Sequence, residues 1–100
     1  MQVRATGIPW YRPKDYDRLK AMFTDGRELP DTFDSWLSRA KAIYDRLTKE
    51  GHVVHQAFID PDAFPEWCRV RRLEMNAQAR SQYAGEYAAQ SNKATRRFWE

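Results

Sequence analysis

The sequence predicts a mostly α-helical α+β domain of about four helices and one strand, in the order (β)-α-α-β-α-α, with helix 2 central. Apolar residues recur at helical spacing in four stretches. Only residues 53–59 concentrate β-branched and aromatic residues between a glycine and a proline, as a strand does. With 100 residues, 42% of them hydrophobic, residues 1–100 suit a single domain with its own core.

The N-terminal residues 1–8 are predicted to be extended and to offer at most a marginal second strand. Gly7 and then Pro9 interrupt any strand there. Pro9 and Pro13 push the residue before each of them toward extended backbone, so the chain between them is predicted to be a stiff connector. The first helix is then predicted over residues 13–23.

The clearest helix is predicted over residues 31–50, with Asp31 as its N-cap and Gly51 as its stop. Its apolar residues follow a 3.6-residue period, and the charged residues fall mostly on the other side. We expect four of the apolar residues to form the core face that meets the strand and the third helix: Trp36, Leu37, Ile43 and Leu47.

Two further helices follow the strand. The third is predicted over residues 62–72 with Asp62 as its cap, and Asn76 is a good cap for the fourth. After Gln90 the chain turns polar and basic, so residues 91–100 are predicted to be a flexible tail. The fourth helix carries a stripe of small and aromatic residues: Ala79, Tyr83, Ala84, Tyr87 and Ala88.

Composition argues against several classes of protein. No apolar run approaches the roughly 18 residues that cross a bilayer, and the N-terminus lacks the apolar block of a signal peptide. We therefore expect no membrane partner. The lone Cys68 cannot form an internal disulfide, which favours a reducing, cytoplasmic setting.

No cofactor or metal is expected either. The sequence has no Cys/His cluster at zinc-ligand spacing. Asp60 and Asp62 flank a proline between strand and helix, a position where carboxylates ordinarily cap the helix. The histidines His52 and His55 are three residues apart on a strand and so lie on opposite faces.

A thiol enzyme would use Cys68 with His52 or His55 as its base; Cys68 and His55 are the weak catalytic candidates of this sequence. A helix N-terminus or an imidazolium nearby lowers a thiol pKa, and Cys68 lies near the start of the third helix. However, Cys68 also shares a stripe with Phe64 and Trp67, and free cysteine is among the most buried residue types. A structural thiol is therefore the favoured interpretation.

A basic surface is a second candidate. The chain carries 17 basic and 14 acidic residues, and this excess of +3 is spread along its length rather than clustered. An ordinary solvated helix face is the alternative, because Glu66 is close enough to neutralise part of the charge. The residues that would contact nucleic acid are Arg69, Arg72, Arg96 and Arg97.

The strand itself predicts an interface. Its peptide groups need a partner, and the N-terminal segment is a poor one. We therefore expect residues 53–59 to pair antiparallel with a second copy about a point near His55 and Gln56, which makes a homodimer. Several aromatic residues either join this interface or close the core from its ends. The interface candidates are Val53, His55, Ala57, Trp10, Tyr11 and Trp99.

Three blocks of the sequence resemble a family of small bacterial hypothetical proteins. The blocks are IPWYR at residues 8–12, LPDTFD with Trp36 at residues 29–36, and IDPD with Phe64 and Trp67-Cys68 at residues 59–68. The resemblance covers residues 8–85. It implies a bacterial, cytoplasmic source and assigns no activity, cofactor or catalytic residue.

The leading functional hypothesis is therefore a small non-enzymatic interaction or assembly protein that forms a homo-oligomer. A nucleic-acid-associated accessory protein and a small Cys/His enzyme are the two alternatives. Salt-dependent retention of nucleic acid would favour the first alternative, and rapid thiol alkylation near neutral pH would favour the second.

Overall fold

The computed structural model describes the backbone of residues 5–99 and the side chains of residues 5–91. The mostly helical α+β fold predicted from the sequence is confirmed, and a second strand joins it. Its elements are strand β1 (Ala5–Trp10), a 3₁₀ turn (Pro13–Asp15), helix α1 (Tyr16–Met22), a second 3₁₀ turn (Gly26–Glu28), helix α2 (Phe33–Lys49), strand β2 (Val53–Phe58), helix α3 (Phe64–Arg71) and helix α4 (Ala77–Trp99).

The two strands pair in parallel within the chain. The register runs from Ala5 opposite Val53 to Trp10 opposite Phe58. The expectation that the second strand lacks a partner in its own chain is therefore wrong. The prediction of a stiff connector that starts at Pro9 is also wrong, since β1 continues through Trp10.

Pro9 is tolerated in β1 because of where its missing N–H would point. The amide of Ile59 donates to the Trp10 carbonyl at 3.0 Å. Peptide groups in a parallel ladder alternate between the two sides of a strand. The backbone N–H and C=O of Trp10 therefore point toward β2. The backbone of Pro9 points toward the free edge of the sheet, where no N–H donor is needed.

The sheet lies between α2 and α4. On one face, the Trp10 ring meets Trp36 edge-on with ring centroids 5.2 Å apart, and Tyr44 at 6.3 Å. On the other face, β1 and α4 approach so closely that a Cβ added to Gly7 would lie 1.9 Å from the carbonyl oxygen of Ala84. Parallel strands need cover on both faces, and these two helices supply it.

The central helix α2 begins one residue later than Asp31 would place it. Thr32 is the N-cap, and its hydroxyl oxygen accepts a hydrogen bond from the Ser35 amide at 3.1 Å. Asp31 instead lies 3.8 Å from the ammonium of Lys20. Both are good capping residues, and the extended backbone of Thr32 decides between them.

The buried face of α2 differs in part from the predicted one. Trp36 and Ala40 are buried, and Leu37 and Tyr44 pack partly against the same core. Ile43, however, is 41% exposed, so its assignment to the core is wrong. A sheet of only two strands is about 5 Å from strand to strand, too narrow to cover the whole apolar stripe of a long helix.

The remaining helix ends confirm one prediction and correct another. Asn76 caps α4, since its side-chain oxygen accepts from the Ala79 amide at 3.0 Å. Asp62 does not cap α3, which begins after Ala63; its carboxylate pairs with Arg18 at 2.6 Å instead. Helix α4 runs from Ala77 to Trp99. The predicted flexible tail falls largely outside the described side chains.

A buried ion pair ties the loop after α1 to the start of α4. Asp25 receives a hydrogen bond from Nη1 of Arg80 at 2.8 Å and another from the Ala77 amide at 3.0 Å. The Arg80 side chain is only 7% exposed, and its guanidinium lies 4.4 Å from the centre of the Phe23 ring. These hydrogen bonds, above all those from Arg80, hold the pKa of Asp25 below its usual 3.8.

No helix in the described part of the chain is long and apolar enough to cross a membrane.

Exchanging two glycines for alanine tests the contact between β1 and α4. Gly7→Ala should lower the free energy of unfolding by about 3 kcal/mol, because the new methyl group meets backbone that cannot turn aside. Gly85→Ala is the matched control, since a Cβ at that position of α4 meets nothing within 4 Å. It should stabilise the helix by about 1 kcal/mol. Urea unfolding followed by circular dichroism measures both, and equal stabilities would contradict the close approach.

Asp25→Asn tests the ion pair. The variant should lose about 3 kcal/mol at neutral pH, because it leaves the Arg80 guanidinium buried without a counter-charge. The folded pKa of Asp25 is lowered, so the stability from this carboxylate is present above about 3.8 and is lost as the pH falls through the folded pKa. Urea midpoints measured from neutral to strongly acid pH should therefore fall less in Asp25→Asn than in the parent.

Glu66→Gln is the control for the effect of acid. Glu66 is also paired with an arginine, but that pair is exposed and worth little. If the urea midpoint of Asp25→Asn falls with pH as steeply as those of the parent and of Glu66→Gln, Asp25 does not contribute to the pH dependence of stability.

Candidate interface at the edge of the sheet

The outer edge of β2 carries free peptide groups. Because the Ile59 amide turns toward β1, alternation points the peptide groups of Val54, Gln56 and Phe58 away from β1. The Phe58 carbonyl accepts a hydrogen bond from the Tyr83 hydroxyl at 3.2 Å. Within the described chain, no turn or side chain engages the peptide groups of Val54 and Gln56. These two residues therefore present an unpaired strand edge.

The side chains along this edge suit an added strand. Val53 is 41% exposed and Gln56 is exposed, whereas Val54 is half-buried. None of the residues of β2 is charged or a proline. Charged residues, proline and bulges are the usual means by which proteins keep sheet edges from pairing. The β2 edge has none of them.

The other edge of the sheet is different. Because backbone groups alternate in direction along a strand, the peptide groups of Ala5, Gly7 and Pro9 point away from β2. A strand added there would find no donor at Pro9, so proline blocks this edge as it does at many sheet margins. The two edges of the same sheet are thus unequal: Pro9 blocks the β1 edge, whereas the β2 edge presents the peptide groups of Val54 and Gln56, which are unpaired among the described residues.

His55 lies next to the open edge, on the face of β2 that α4 covers. Its ring meets Tyr87 edge-on with centroids 6.5 Å apart. Its Nε2 atom is buried and has no hydrogen-bond partner among the described residues. His52, by contrast, has its Nδ1 atom 2.9 Å from the Thr6 hydroxyl oxygen and lies 3.9 Å from the Glu50 carboxylate.

The structure separates the predicted interface residues into two groups. Val53 and His55 lie at or beside the open edge, while Ala57 is fully buried beneath it. Trp10 and Tyr11 are buried in the core, which is the other role predicted for them. The side chain of Trp99 lies outside the described residues.

Tyr11 is a core residue in its chemistry as well as its position. Burial raises the pKa of Tyr11 to about 12, although the neighbouring Arg80 opposes the shift. The centroid of its ring lies 4.6 Å from the centroid of the Trp36 ring. A phenol in this setting stays protonated and contributes packing rather than a surface contact.

The predicted Cys/His pair is not assembled. Cys68 is 2% exposed and belongs to the core with Phe64, and burial raises the pKa of its thiol. It occupies the middle of α3 rather than the first turn. No hydrogen bond or ring contact of the described residues joins Cys68 to His52 or His55. A protonated, buried thiol is a poor nucleophile.

The predicted nucleic-acid residues are only partly available. Arg69 donates two hydrogen bonds to Glu66, at 2.7 and 2.6 Å, which neutralises its charge. Arg72 is exposed and ends α3 in a left-handed conformation with φ of 57°. The side chains of Arg96 and Arg97 lie outside the described residues. In the described part of the chain, no group of three acidic, histidine or cysteine side chains is placed to hold a metal ion.

The reactivity of Cys68 checks this description of the core. A small alkylating reagent should modify the native thiol at least about a hundredfold more slowly than a cysteine peptide, because the thiol is both buried and protonated. Denatured protein should react at the rate of the peptide. His55→Ala should leave the native rate unchanged, and a slower reaction in that variant would restore the Cys/His pair.

Comparisons with protein-family models, with curated proteins and with solved structures find no match for this chain. The resemblance of its three sequence blocks to small bacterial hypothetical proteins therefore stays an expectation, and any function has to be argued from the geometry of the chain.

Proposed function

We propose that this protein is a non-enzymatic assembly module of the reducing cytoplasm that forms a homodimer through the open edge of β2. The observation that carries the proposal is the inequality of the two sheet edges. Among the described residues, nothing pairs with the peptide groups of Val54 and Gln56 on an uncharged strand, whereas Pro9 blocks the opposite edge.

Antiparallel pairing about a two-fold axis at His55 fits the free groups. Val54 then lies opposite Gln56 of the second copy, and each such pair exchanges both of its N–H···O bonds. The axis repeats the pair, so the N–H and C=O groups of both residues are satisfied in both chains. The same register brings Val53 opposite Ala57 of the second copy, which shields the exposed valine.

The assembly would also close at two copies. The combined sheet has the strand order β1-β2-β2-β1, so both of its outer edges are β1 strands. Each of these edges carries Pro9 in an outward position. A sheet that ends on two blocked edges cannot grow further, and a two-fold interface is closed by symmetry.

The dimer would bring the two copies of His55 together. The axis places His55 of each copy across from the other in a non-hydrogen-bonded pair, the closer of the two antiparallel pairings. On the face of β2 that they share, each ring has Tyr87 of α4 beside it.

Gln56→Pro tests the interface directly. Proline removes an N–H that makes no hydrogen bond to the described residues, so the fold should survive as it does with Pro9, while the edge loses a donor at the centre of the dimer. We expect sedimentation velocity at micromolar concentration to show a dimer for the parent and a monomer for Gln56→Pro.

Gln56→Ala is the matched control, since it removes the same side chain and keeps the N–H; it should remain a dimer. A parent protein that is monomeric at neutral pH would defeat the proposal. A dimer that persists in Gln56→Pro would place the interface elsewhere on the molecule.

A further inference from the structure

A cavity of about 310 Å³ lies between α3 and α4. Three aromatic rings, a carboxylate, a guanidinium and an amide form its walls. Trp67 and Arg71 lie one helical turn apart on α3, and the other lining residues come from α4. The lining residues are Trp67, Arg71, Tyr83, Glu86, Tyr87 and Gln90.

The cavity already holds a cation, supplied by its own wall. The guanidinium of Arg71 lies 4.1 Å from the centre of the Trp67 ring, in a cation–π contact. It also donates to the Trp67 carbonyl at 3.2 Å and lies 3.5 Å from the Glu86 carboxylate. One aromatic face and one carboxylate therefore hold a planar cation from two sides.

The rings that form this arrangement are fixed by other contacts. Trp67 stacks on the buried Phe64 with ring centroids 5.8 Å apart, and Tyr83 meets Trp67 edge-on at 5.4 Å. The Tyr83 hydroxyl is held by the Phe58 carbonyl. Arg71, in contrast, is the last residue of α3 and is exposed. The walls are pre-organised, and the cation between them is the part that can be exchanged.

We infer that this cavity is a recognition site for the guanidinium group of an arginine side chain in a partner protein, which replaces Arg71. An incoming guanidinium regains the contacts to Trp67 and Glu86 that Arg71 gives up, so the Trp67 ring and the Glu86 carboxylate keep a cationic partner after the exchange. A planar cation fits better than a point charge because it can lie flat on the Trp67 ring while it pairs with the carboxylate.

The partner has to offer more than its arginine. A group tethered in the same chain competes at an effective concentration of the order of millimolar or above, so free arginine alone exchanges poorly. The rim provides additional contacts, since Tyr87 is 42% exposed and Gln90 is exposed. An exposed aromatic beside a charged pocket is typical of the centre of a protein interface.

Removing the internal cation should reveal the site. The probe is an arginine blocked at both ends, N-acetyl-arginine methylamide, titrated into the protein and followed by the indole N–H signal of Trp67 in NMR spectra. Arg71→Ala should bind it about tenfold or more tightly than the parent, because the tethered competitor is gone. Arg71→Gln, which removes the charge but keeps a polar side chain, should show the same gain in the same titration.

Arg69→Ala is the matched control. It removes the same charge from the same helix, but Arg69 is paired with Glu66 outside the cavity. This variant should bind the probe no better than the parent. Equal binding by Arg69→Ala and Arg71→Ala would overturn the inference, since charge alone would then explain the effect.

Two further arms identify the chemistry. The double variant Arg71→Ala with Glu86→Gln should lose most of the gain in affinity, because the carboxylate that pairs with the guanidinium is missing. A blocked lysine should bind Arg71→Ala several-fold more weakly than the blocked arginine. Failure of Arg71→Ala to bind either probe, or equal binding of both, would contradict a guanidinium site.

Discussion

The parallel pairing of β1 with β2 is the constraint on which the rest of the structure depends. Parallel strands cannot be joined by a tight turn, so the chain between Trp10 and Val53 has to cross over, and α1 and α2 form that crossover. A parallel sheet also has to be covered on both faces. Helix α2 covers one face during the crossover, and α4 returns to cover the other at Gly7. The Asp25–Arg80 pair then fastens the crossover loop to α4.

The sequence predicted the helices far better than the first strand. Periodicity was enough for α2, and Asn76 is a strong capping signal whatever the surroundings. The sequence did not predict β1 with its full length, because two of its residues are poor strand formers that are explained only by contacts with elements distant in sequence. Gly7 leaves room for the α4 backbone, and Pro9 lies on an edge that needs no donor. Neither reason is visible until the partner elements are known.

The candidate sites divide in the same way. That residues 53–58 form a strand was readable from composition, but which of them turn their peptide groups outward depends on the register with β1. Trp10 and Tyr11 could not be placed from the sequence, since an aromatic residue suits a core and an interface equally. The cavity of Arg71 was missed because Glu86 and Tyr83 come from α4. No local pattern connects an arginine to a carboxylate on another helix.

The distances along the chain that these contacts bridge have a consequence for how the protein is made. The Thr6–His52 contact spans 46 positions, and the Asp25–Arg80 pair spans 55. A ribosome adds about 5 to 20 residues each second, so β1 emerges several seconds before the helix that covers it. Until α4 arrives, the face of the sheet around Gly7 and Ala57 has nothing to pack against. The nascent chain therefore depends on α4 to become a folded protein, and a ribosome that stalls before Ala77 leaves a sheet with one face uncovered, which chaperones or proteases can bind.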